Sequence, residues 1–442
     1  MDSISKEIKS QDINIDNFFE KVKIVTYSLI GIVVFFIPIN IDNQTKTIIH
    51  HIVYNLQINY SKFLQVCTII YLILGVIKSI ISNHKNKLTN IYSYLRIFSI
   101  FIITSIFYNK NLIILLDETT SLILEEMILN LITLLPLSAI FMPFILDFGL
   151  LEIVEAYCHK LMKKTFNLSG KSILNIIMYI FNDCFCGYFM TNLLYKKGKL
   201  RQNEVCTIIL NFSIASISVM NYIADELNIN KINFFILSLF ILILTNIILC
   251  RLYPISKKKK SYYIKTNYKE RYFKTDKLNK SIKEYLQNKE NVNIFKLIIQ
   301  NLEESIHIII NLIPDLVLIV YLGDIIINSI DITYYFKIIF NNILEFLNFN
   351  NIDDISAFII TGFFNDIIAI ESLNRNIEYA SKLLLAIICI LKCTSLTTNI
   401  LYLEHTNIPI KKTDFLISYI QRIVVILLIS AMIFYLYNIY TI

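Results

Sequence analysis

The sequence predicts an all-α polytopic membrane protein with about nine transmembrane helices and two re-entrant hairpins in an inverted repeat. Three observations predict this fold. Hydrophobic residues make up 55% of the 442 residues, charged residues only 17%, and the mean hydropathy is +0.59, which is more apolar surface than a soluble core can bury. Long apolar runs recur along the chain, and two parts of the sequence resemble each other.

Nine apolar runs are long enough to cross a hydrocarbon layer of about 30 Å as helices that rise about 1.5 Å per residue. They lie at 22–40, 61–80, 91–108, 124–146, 204–223, 232–253, 304–327, 380–403 and 414–437. Lys and Arg cluster at alternate ends of these runs, most densely in the loop after 232–253. The positive-inside rule therefore predicts a multi-pass protein of the cell membrane, with a cytoplasmic N-terminus and an external C-terminus.

Two further apolar stretches, 172–194 and 355–373, do not fit this alternation as full spans. Basic residues flank both ends of the first stretch, so both ends favour the same side of the membrane. We therefore predict two re-entrant hairpins, which a bilayer tolerates where protein or a water-filled cavity surrounds them. The preceding segments, 151–166 and 332–347, have apolar residues at helical spacing and are predicted to lie at the interface.

An internal repeat links the two halves of the chain. Residues 166–183 (FNLSGKSILNIIMYIFND) align without gaps to 349–366 (FNNIDDISAFIITGFFND), an offset of 183. Upstream, 124–136 (LEEMILNLITLLP) aligns to 302–314 (LEESIHIIINLIP), an offset of 178. By the charge pattern, the first span of the first half runs from outside to inside and the first span of the second half runs from inside to outside, so the repeats are predicted to be inverted. This architecture is typical of secondary transporters, which bind their substrate between the repeats.

Several long segments resemble one family of membrane proteins. They are 28–39 (SLIGIVVFFIPI), 144–175 (FILDFGLLEIVEAYCHKLMKKTFNLSGKSILN), 191–218 (TNLLYKKGKLRQNEVCTIILNFSIASIS) and 408–430 (IPIKKTDFLISYIQRIVVILLIS). The chain resembles membrane proteins with a nucleoside-recognition Gate domain, specifically the YjiH-like group. The resemblance implies a fold related to the concentrative nucleoside transporters.

The resulting organisation has five parts. They are a cytoplasmic N-terminal segment at 1–20, three transmembrane helices within 21–110, a first Gate repeat at 124–253, a basic cytoplasmic loop at 254–292 and a second Gate repeat at 302–442. The loop, with four consecutive lysines at 257–260, is interpreted either as a site for anionic lipid headgroups or as a solvated linker.

The hairpins carry the first candidate site residues. Asn182 and Asp183 in the first hairpin are equivalent to Asn365 and Asp366 in the second. Ionised carboxylates are costly within a membrane, so they are candidates for binding a cation, a proton or a polar solute. Alternatively, both Asp side chains cap helix starts at the bends. The inverted repeat predicts that Asp183 and Asp366 approach each other. The resemblance implies a substrate-binding role for the following Thr191 and Asn192 as well.

The spans supply further candidates. Lys392 lies in the middle of a predicted span and is interpreted as the partner of Asp315 or of a hairpin acid, or as a ligand for a substrate carboxylate. Polar side chains line two repeat-equivalent spans, where they either bind a solute or allow close helix packing. The candidates among them are Ser213, Ser216, Ser395, Thr398 and Asn399.

Other classes of function find little support in the sequence. No nucleotide-binding loop, HExxH, GxSxG or dinucleotide fingerprint is present, so we predict no enzyme and no cofactor. An intramembrane protease with two aspartates would require a glycine-flanked motif that this chain lacks. The cysteines and the scattered histidines predict no metal site. The net charge of +7 partly reflects a general bias of the sequence toward Lys and Asn, so it does not predict a nucleic-acid partner.

The sequence leaves two hypotheses of different classes. The first is a secondary transporter of a small polar solute, a nucleoside or related metabolite, coupled to H⁺ or Na⁺. The second is a non-transporting membrane scaffold that acts with a partner membrane subunit or as a homo-oligomer. The family's small-residue hairpin tip is replaced here by the sequence Asn-Asp-Cys-Phe-Cys at 182–186, which favours the scaffold.

Overall fold

A computed structural model describes most of the chain. The described residues are 2–41, 44–82, 87–108, 118–264, 273, 275–288, 293–329, 334, 337–338, 341–342, 344–345, 352–364, 379–392 and 396–441. The predicted interfacial segment 332–347 falls largely outside this set, as do residues 365–378 of the second hairpin.

Six helical segments of the described residues are long and apolar enough to cross a membrane. They are Ser61–Ile81, Thr120–Leu146, Gln202–Glu226, Lys231–Leu249, Ile294–Ile325 and Lys412–Ile433. Each coincides with one of the nine predicted runs, which confirms the multi-pass α-helical character of the protein. The total of nine spans stays a prediction.

The N-terminal part contains four helices and one small sheet. In order they are α1 (Asp2–Phe36), β1 (Pro38–Ile41), β2 (Gln44–Thr47), α2 (Ile48–Asn59), α3 (Ser61–Ser82) and α4 (Lys87–Tyr108). The two strands pair antiparallel and form one small hairpin in an otherwise helical set of elements, which agrees with the predicted all-α class. The predicted run 22–40 is divided because α1 ends before Pro38, which lacks an N–H and disfavours helix in the residue before it.

The first repeat contains seven helices in the order that the sequence predicts. They are α5 (Glu118–Leu146), α6 (Leu150–Phe166), α7 (Ser172–Phe181), α8 (Cys184–Lys196), α9 (Gln202–Phe212), α10 (Ile217–Glu226) and α11 (Lys231–Leu249). The helix predicted at 151–166 is therefore present as α6. The stretch 172–194 forms two helices rather than one span.

The second half contains further helices, and the positions that the predicted repeat makes equivalent to α6 and α8 lie largely outside the described residues. After α12 (Lys277–Asn288) they are α13 (Ile294–Ser329), α14 (Ile352–Phe364), α15 (Tyr379–Leu391), α16 (Leu396–Glu404) and α17 (Lys412–Thr441). Helices α5 and α13 pack against each other more extensively than any other two described helices. Thr120 at the start of α5 donates a hydrogen bond to Asp324 near the end of α13 at 3.0 Å, so the two helices run antiparallel, as an inverted repeat requires.

Two of the predicted spans are discontinuous helices. Helix α9 ends at Phe212 and α10 begins at Ile217, with an extended segment between them. The run 380–403 is likewise divided, because α15 ends at Leu391 and Lys392 lies in a bend before α16. The runs at 204–223 and 380–403 therefore each consist of two helices, and the first run still belongs to a segment long enough to cross a membrane.

Described parts of the basic loop contact the rest of the protein. Its first part lies across both repeats. The Gln202 N–H donates to the Ser261 carbonyl at 2.8 Å, whereas Lys258 pairs with Asp414 of the second repeat at 2.6 Å. Further along, Tyr285 of α12 donates to the Asp147 carbonyl at 3.1 Å. Backbone pairing and an apolar face on α12 thus hold these parts of the loop against the protein.

Candidate functional site

The first hairpin consists of α7 and α8, which lie antiparallel. Asn175 of α7 donates to the Thr191 hydroxyl of α8 at 3.0 Å, and the rings of Tyr179 and Tyr188 are 5.6 Å apart. Gly187 permits this approach, because a Cβ atom there would lie 2.4 Å from the Tyr179 ring. Thr191 also donates to the Gly187 carbonyl at 2.7 Å, so its hydroxyl is engaged within the hairpin.

The tip of the hairpin is formed by Asn182 and Asp183. The buried Asn182 amide donates to the Phe35 carbonyl at 2.7 Å and accepts from the Thr47 hydroxyl at 3.3 Å. Asp183 accepts from the Phe185 N–H at 3.3 Å, so it caps α8 as one of our two interpretations predicted.

The capping role does not use the whole Asp183 carboxylate. Its second oxygen accepts from the Asn130 amide of α5 at 3.1 Å. The hairpin tip is therefore held by α5 and by the N-terminal segment.

Sequence reasoning missed the residues that cover this tip. Thr47 contacts His50 of α2 at 2.9 Å between Oγ1 and Nδ1, which extends the hydrogen-bonded chain from Asn182 to the imidazole. Burial lowers the pKa of His50 to about 4, and this effect outweighs the opposing attraction of Asp183. Lys46 and His51 lower the pKa further. No motif signals this network, because the contacts join segments more than 130 residues apart.

The low pKa of His50 predicts that acid weakens the contact between the N-terminal segment and the hairpin. Above pH 6.5 the imidazole is neutral in both the docked and the undocked state. As the pH falls from 6.5 toward 4, the undocked state binds a proton that the docked state does not, so docking is progressively lost. Thermal unfolding in detergent should therefore show a melting temperature that falls between pH 7.5 and 5, and His50→Gln should reduce this fall.

The neighbouring His51→Gln provides the matched control, since His51 contacts the Ile39 carbonyl rather than the hairpin chain. We expect His51→Gln to retain the pH dependence of the wild type. An unchanged pH dependence in His50→Gln would contradict the assignment.

Asn192 belongs to a different cluster, roughly 13 Å along α8 from Asp183. Its amide donates to Glu304 of α13 at 2.9 Å and accepts from the Asn407 N–H at 3.3 Å. Lys196 pairs with both oxygens of Glu304 at 2.7 Å. This cluster ties the hairpin to the second half of the chain. Sequence reasoning missed the role of Glu304, although it belongs to the repeated LEE motif.

The two discontinuous helices meet at their interruptions. The Ala215 N–H, in the extended segment after α9, donates to the Ile390 carbonyl in the last turn of α15 at 3.1 Å. We call this contact the crossing. Ser213 donates to the Ile209 carbonyl at 2.8 Å, and Ser216 directly precedes α10. This backbone contact thus brings the interruptions of the two predicted spans together.

Polar side chains are buried on the segments that form the crossing. Lys392 is 1% exposed beside the end of α15, and Asn399 on α16 is fully buried. Asn211, in the last turn of α9, is also fully buried, and its amide has no hydrogen-bond partner within the described part of the chain. Sequence reasoning did not single out Asn211, since an isolated Asn in an apolar run of this composition is a weak signal.

Part of the predicted site falls outside the described residues. Asn365, Asp366 and Ser395 are among these, and Thr398 lies in α16 without a described side chain. The predicted approach of Asp183 and Asp366 therefore stays a prediction.

The first hairpin nevertheless packs on the second repeat. The rings of Tyr188 and Tyr402 stack at 5.2 Å, and those of Phe185 and Tyr402 are 5.9 Å apart.

Asp315 has other partners than the Lys392 suggested by sequence. Arg96 of α4 donates to both carboxylate oxygens at 2.5 Å, and His405 contacts the second oxygen at 2.7 Å. The charge of Asp315 is therefore balanced without Lys392. Sequence reasoning missed this pairing because Arg96 belongs to the N-terminal helices, outside both repeats.

Comparison with known proteins identifies part of the chain. Residues 128–230 match the family model for the Gate domain, described as nucleoside recognition. This segment extends from α5 past α10, so it contains the hairpin and the first discontinuous helix. Over 128 residues the chain is 27% identical to an uncharacterised protein of Alkalihalophilus pseudofirmus, a match that covers 28% of each chain. The chain thus carries a Gate domain, which confirms the resemblance to the Gate family.

Proposed function

We propose that the protein is a secondary transporter of the cell membrane for a small polar solute, a nucleoside or related metabolite, driven by H⁺ or Na⁺. The crossing is the observation that supports this proposal most strongly, because two interrupted helices from the two halves touch there beside buried polar groups. Transporters with inverted repeats bind substrate and coupling ion at such interruptions near the middle of the membrane. The Gate match at 128–230 agrees with a transport role.

The proposal includes the full architecture predicted from sequence. It comprises nine spans, two re-entrant hairpins, a second Gate repeat at 302–442 that is inverted relative to the first, and a relation to the concentrative nucleoside transporters through the YjiH-like group. Helices α7 and α8 have 10 and 13 residues. Their lengths of about 15 and 20 Å are each too short to cross the hydrocarbon layer.

We assign the solute site to the crossing. Asn211, Ser213, Ser216, Lys392 and Asn399 supply buried hydrogen-bonding groups on the chain segments that form it. A buried amide without a partner is costly, so a position that keeps one is explained by a ligand or by water. Among the residues assigned to the crossing, Asn211 is the one whose two amide atoms both have no hydrogen-bond partner within the described part of the chain.

The scaffold hypothesis is supported by a different observation. Residues 184–186, part of the segment that replaces the small-residue hairpin tip of the family, are buried and packed in the core. Cys186 contacts the Ser138 hydroxyl at 3.0 Å, and Phe185 packs on Tyr402. A hairpin tip packed in this way favours a static structure that supports a partner membrane subunit or a second copy of the chain.

Uptake of labelled nucleosides by purified protein in liposomes separates the two functions. The transporter should accumulate label under an imposed H⁺ or Na⁺ gradient, and Asn211→Leu should abolish this uptake. The same variant should be at least as stable as the wild type, because a buried amide that has no partner among the described residues is replaced by an apolar side chain of similar size.

Asn246→Leu is the matched control. Asn246 of α11 is also fully buried, with no hydrogen-bond partner for its amide among the described residues. We expect it to tolerate leucine with uptake retained. Wild-type protein that accumulates none of the nucleosides under either gradient would favour the scaffold. Equal uptake by the two variants would contradict the assignment of Asn211 to the solute site.

A further inference from the structure

The interruption of α9 leaves backbone carbonyls without helical partners. A helix that ends at Phe212 has no following turn to donate N–H groups to the carbonyls of its last four residues. Within a membrane such groups must be satisfied by the protein itself or by a ligand. The end of α9 also carries the negative end of the helix dipole, about half an elementary charge.

Among the described residues, two side chains donate to these carbonyls. Ser213 donates to the Ile209 carbonyl at 2.8 Å, and Nη1 of Arg422 donates to the Leu210 carbonyl at 3.3 Å. Arg422 lies on α17 in the second repeat and is only 1% exposed, which makes it one of the largest fully buried side chains of the described residues. An arginine keeps its positive charge under all physiological conditions. The protein therefore places a permanent cation at the end of α9.

The end of α15 is satisfied in a related way. Its Ile390 carbonyl accepts from Ala215 and its Ile388 carbonyl from the Lys392 N–H at 2.9 Å, while the Lys392 side chain is buried beside it. With the repeat offset of 183, the first-repeat residue equivalent to Arg422 is Leu239. The position on α11 that corresponds to Arg422 is therefore not cationic. At the end of α15 the nearby cation is Lys392, which belongs to the same chain segment as the helix end.

We propose that Arg422 is a resident cation that takes the place of a bound Na⁺ at the C-terminal end of α9, so that the crossing assembles without sodium. In transporters with discontinuous helices, unwound carbonyls and half-helix C-termini are the groups that coordinate Na⁺. Here a guanidinium from the opposite repeat donates to one of those carbonyls. If the protein is a transporter, as we propose above, then its transport is not coupled to sodium. Arg422 is thus a positioning residue that also excludes a coupling ion.

The test measures thermal stability in detergent in NaCl and in choline chloride at equal ionic strength. A ligand that binds only the folded state raises its stability, so the wild type should melt at the same temperature in both salts. Arg422→Ser should melt at a lower temperature, and Na⁺ but not choline should recover part of the loss by filling the vacated position. Arg422→Lys should behave as the wild type toward both salts.

Arg251→Ser is the matched control, because Arg251 also donates to a backbone carbonyl, that of Thr165 at 3.0 Å, but is exposed. It should acquire no response to sodium. A wild type that Na⁺ stabilises over choline would overturn the proposal, and so would an Arg422→Ser protein as stable as the wild type in both salts. Should Arg422→Ser fail to fold, the wild-type comparison and Arg422→Lys still decide. Because no step measures uptake, the result is independent of whether the protein transports nucleosides.

Discussion

Asp315→Asn is expected to destabilise the protein by about 3–5 kcal/mol, because it removes the negative charge that accepts two hydrogen bonds from Arg96 inside the helix bundle. Asp315 and Arg96 have side chains that are only 2% and 12% exposed, so water cannot replace the lost contact. The effect should be measured as the change in the free energy of unfolding in detergent.

A second change separates loss of the pair from other effects. Replacing Arg96 with methionine in the Asp315→Asn background removes the buried charge and should recover much of the loss, whereas replacing Lys392 in that background should recover none. Asp324→Asn is the control on the same helix, since Asp324 makes a hydrogen bond to Thr120 and should cost less than about 1 kcal/mol. An Asp315→Asn protein with wild-type stability would show that the pair contributes nothing.

The helices of this protein could be predicted from the sequence to the extent that they depend on local apolar pattern. The aligned segments 124–136 and 302–314 lie within α5 and α13, which are both helical and pack against each other. The stretch 172–194, with basic residues at both ends, forms a hairpin of two helices. In each case the signal lies within the segment itself.

The interruptions of α9 and α15 could not be predicted, because neither contains a glycine or a proline. The segment NFSIAS at 211–216 reads as continuous helix, and what holds it extended is a backbone contact to Ile390, 175 residues further along the chain. The same reason applies to the candidate site. The sequence singles out Asp183 and Lys392 as polar groups within apolar stretches, but the partners that surround Asp183, from Asn130 to His50, depend on tertiary packing.

Gly75→Ala should be the most damaging conservative change among the described glycines of long helices. A Cβ atom at Gly75 would lie 2.1 Å from the Ile310 carbonyl oxygen and 2.9 Å from Cγ of Pro314. The first contact is with backbone, so α3 and α13 must move apart. Overpacking of this kind costs about 1–3 kcal/mol or more, which exceeds the gain of about 0.5–1 kcal/mol from replacing glycine in a helix.

Gly323→Ala on α13 is the matched control, because a Cβ atom there would meet nothing within 4 Å. It should stabilise the protein slightly, so the two identical substitutions are expected to have opposite signs in denaturant unfolding. Pro314 precedes Asp315, so separating α3 from α13 should also disturb the Arg96 pair. We therefore expect the double variant Gly75→Ala, Asp315→Asn to lose less free energy of unfolding than the sum of the losses in the two single variants. Full additivity would show that the helix contact and the ion pair act independently.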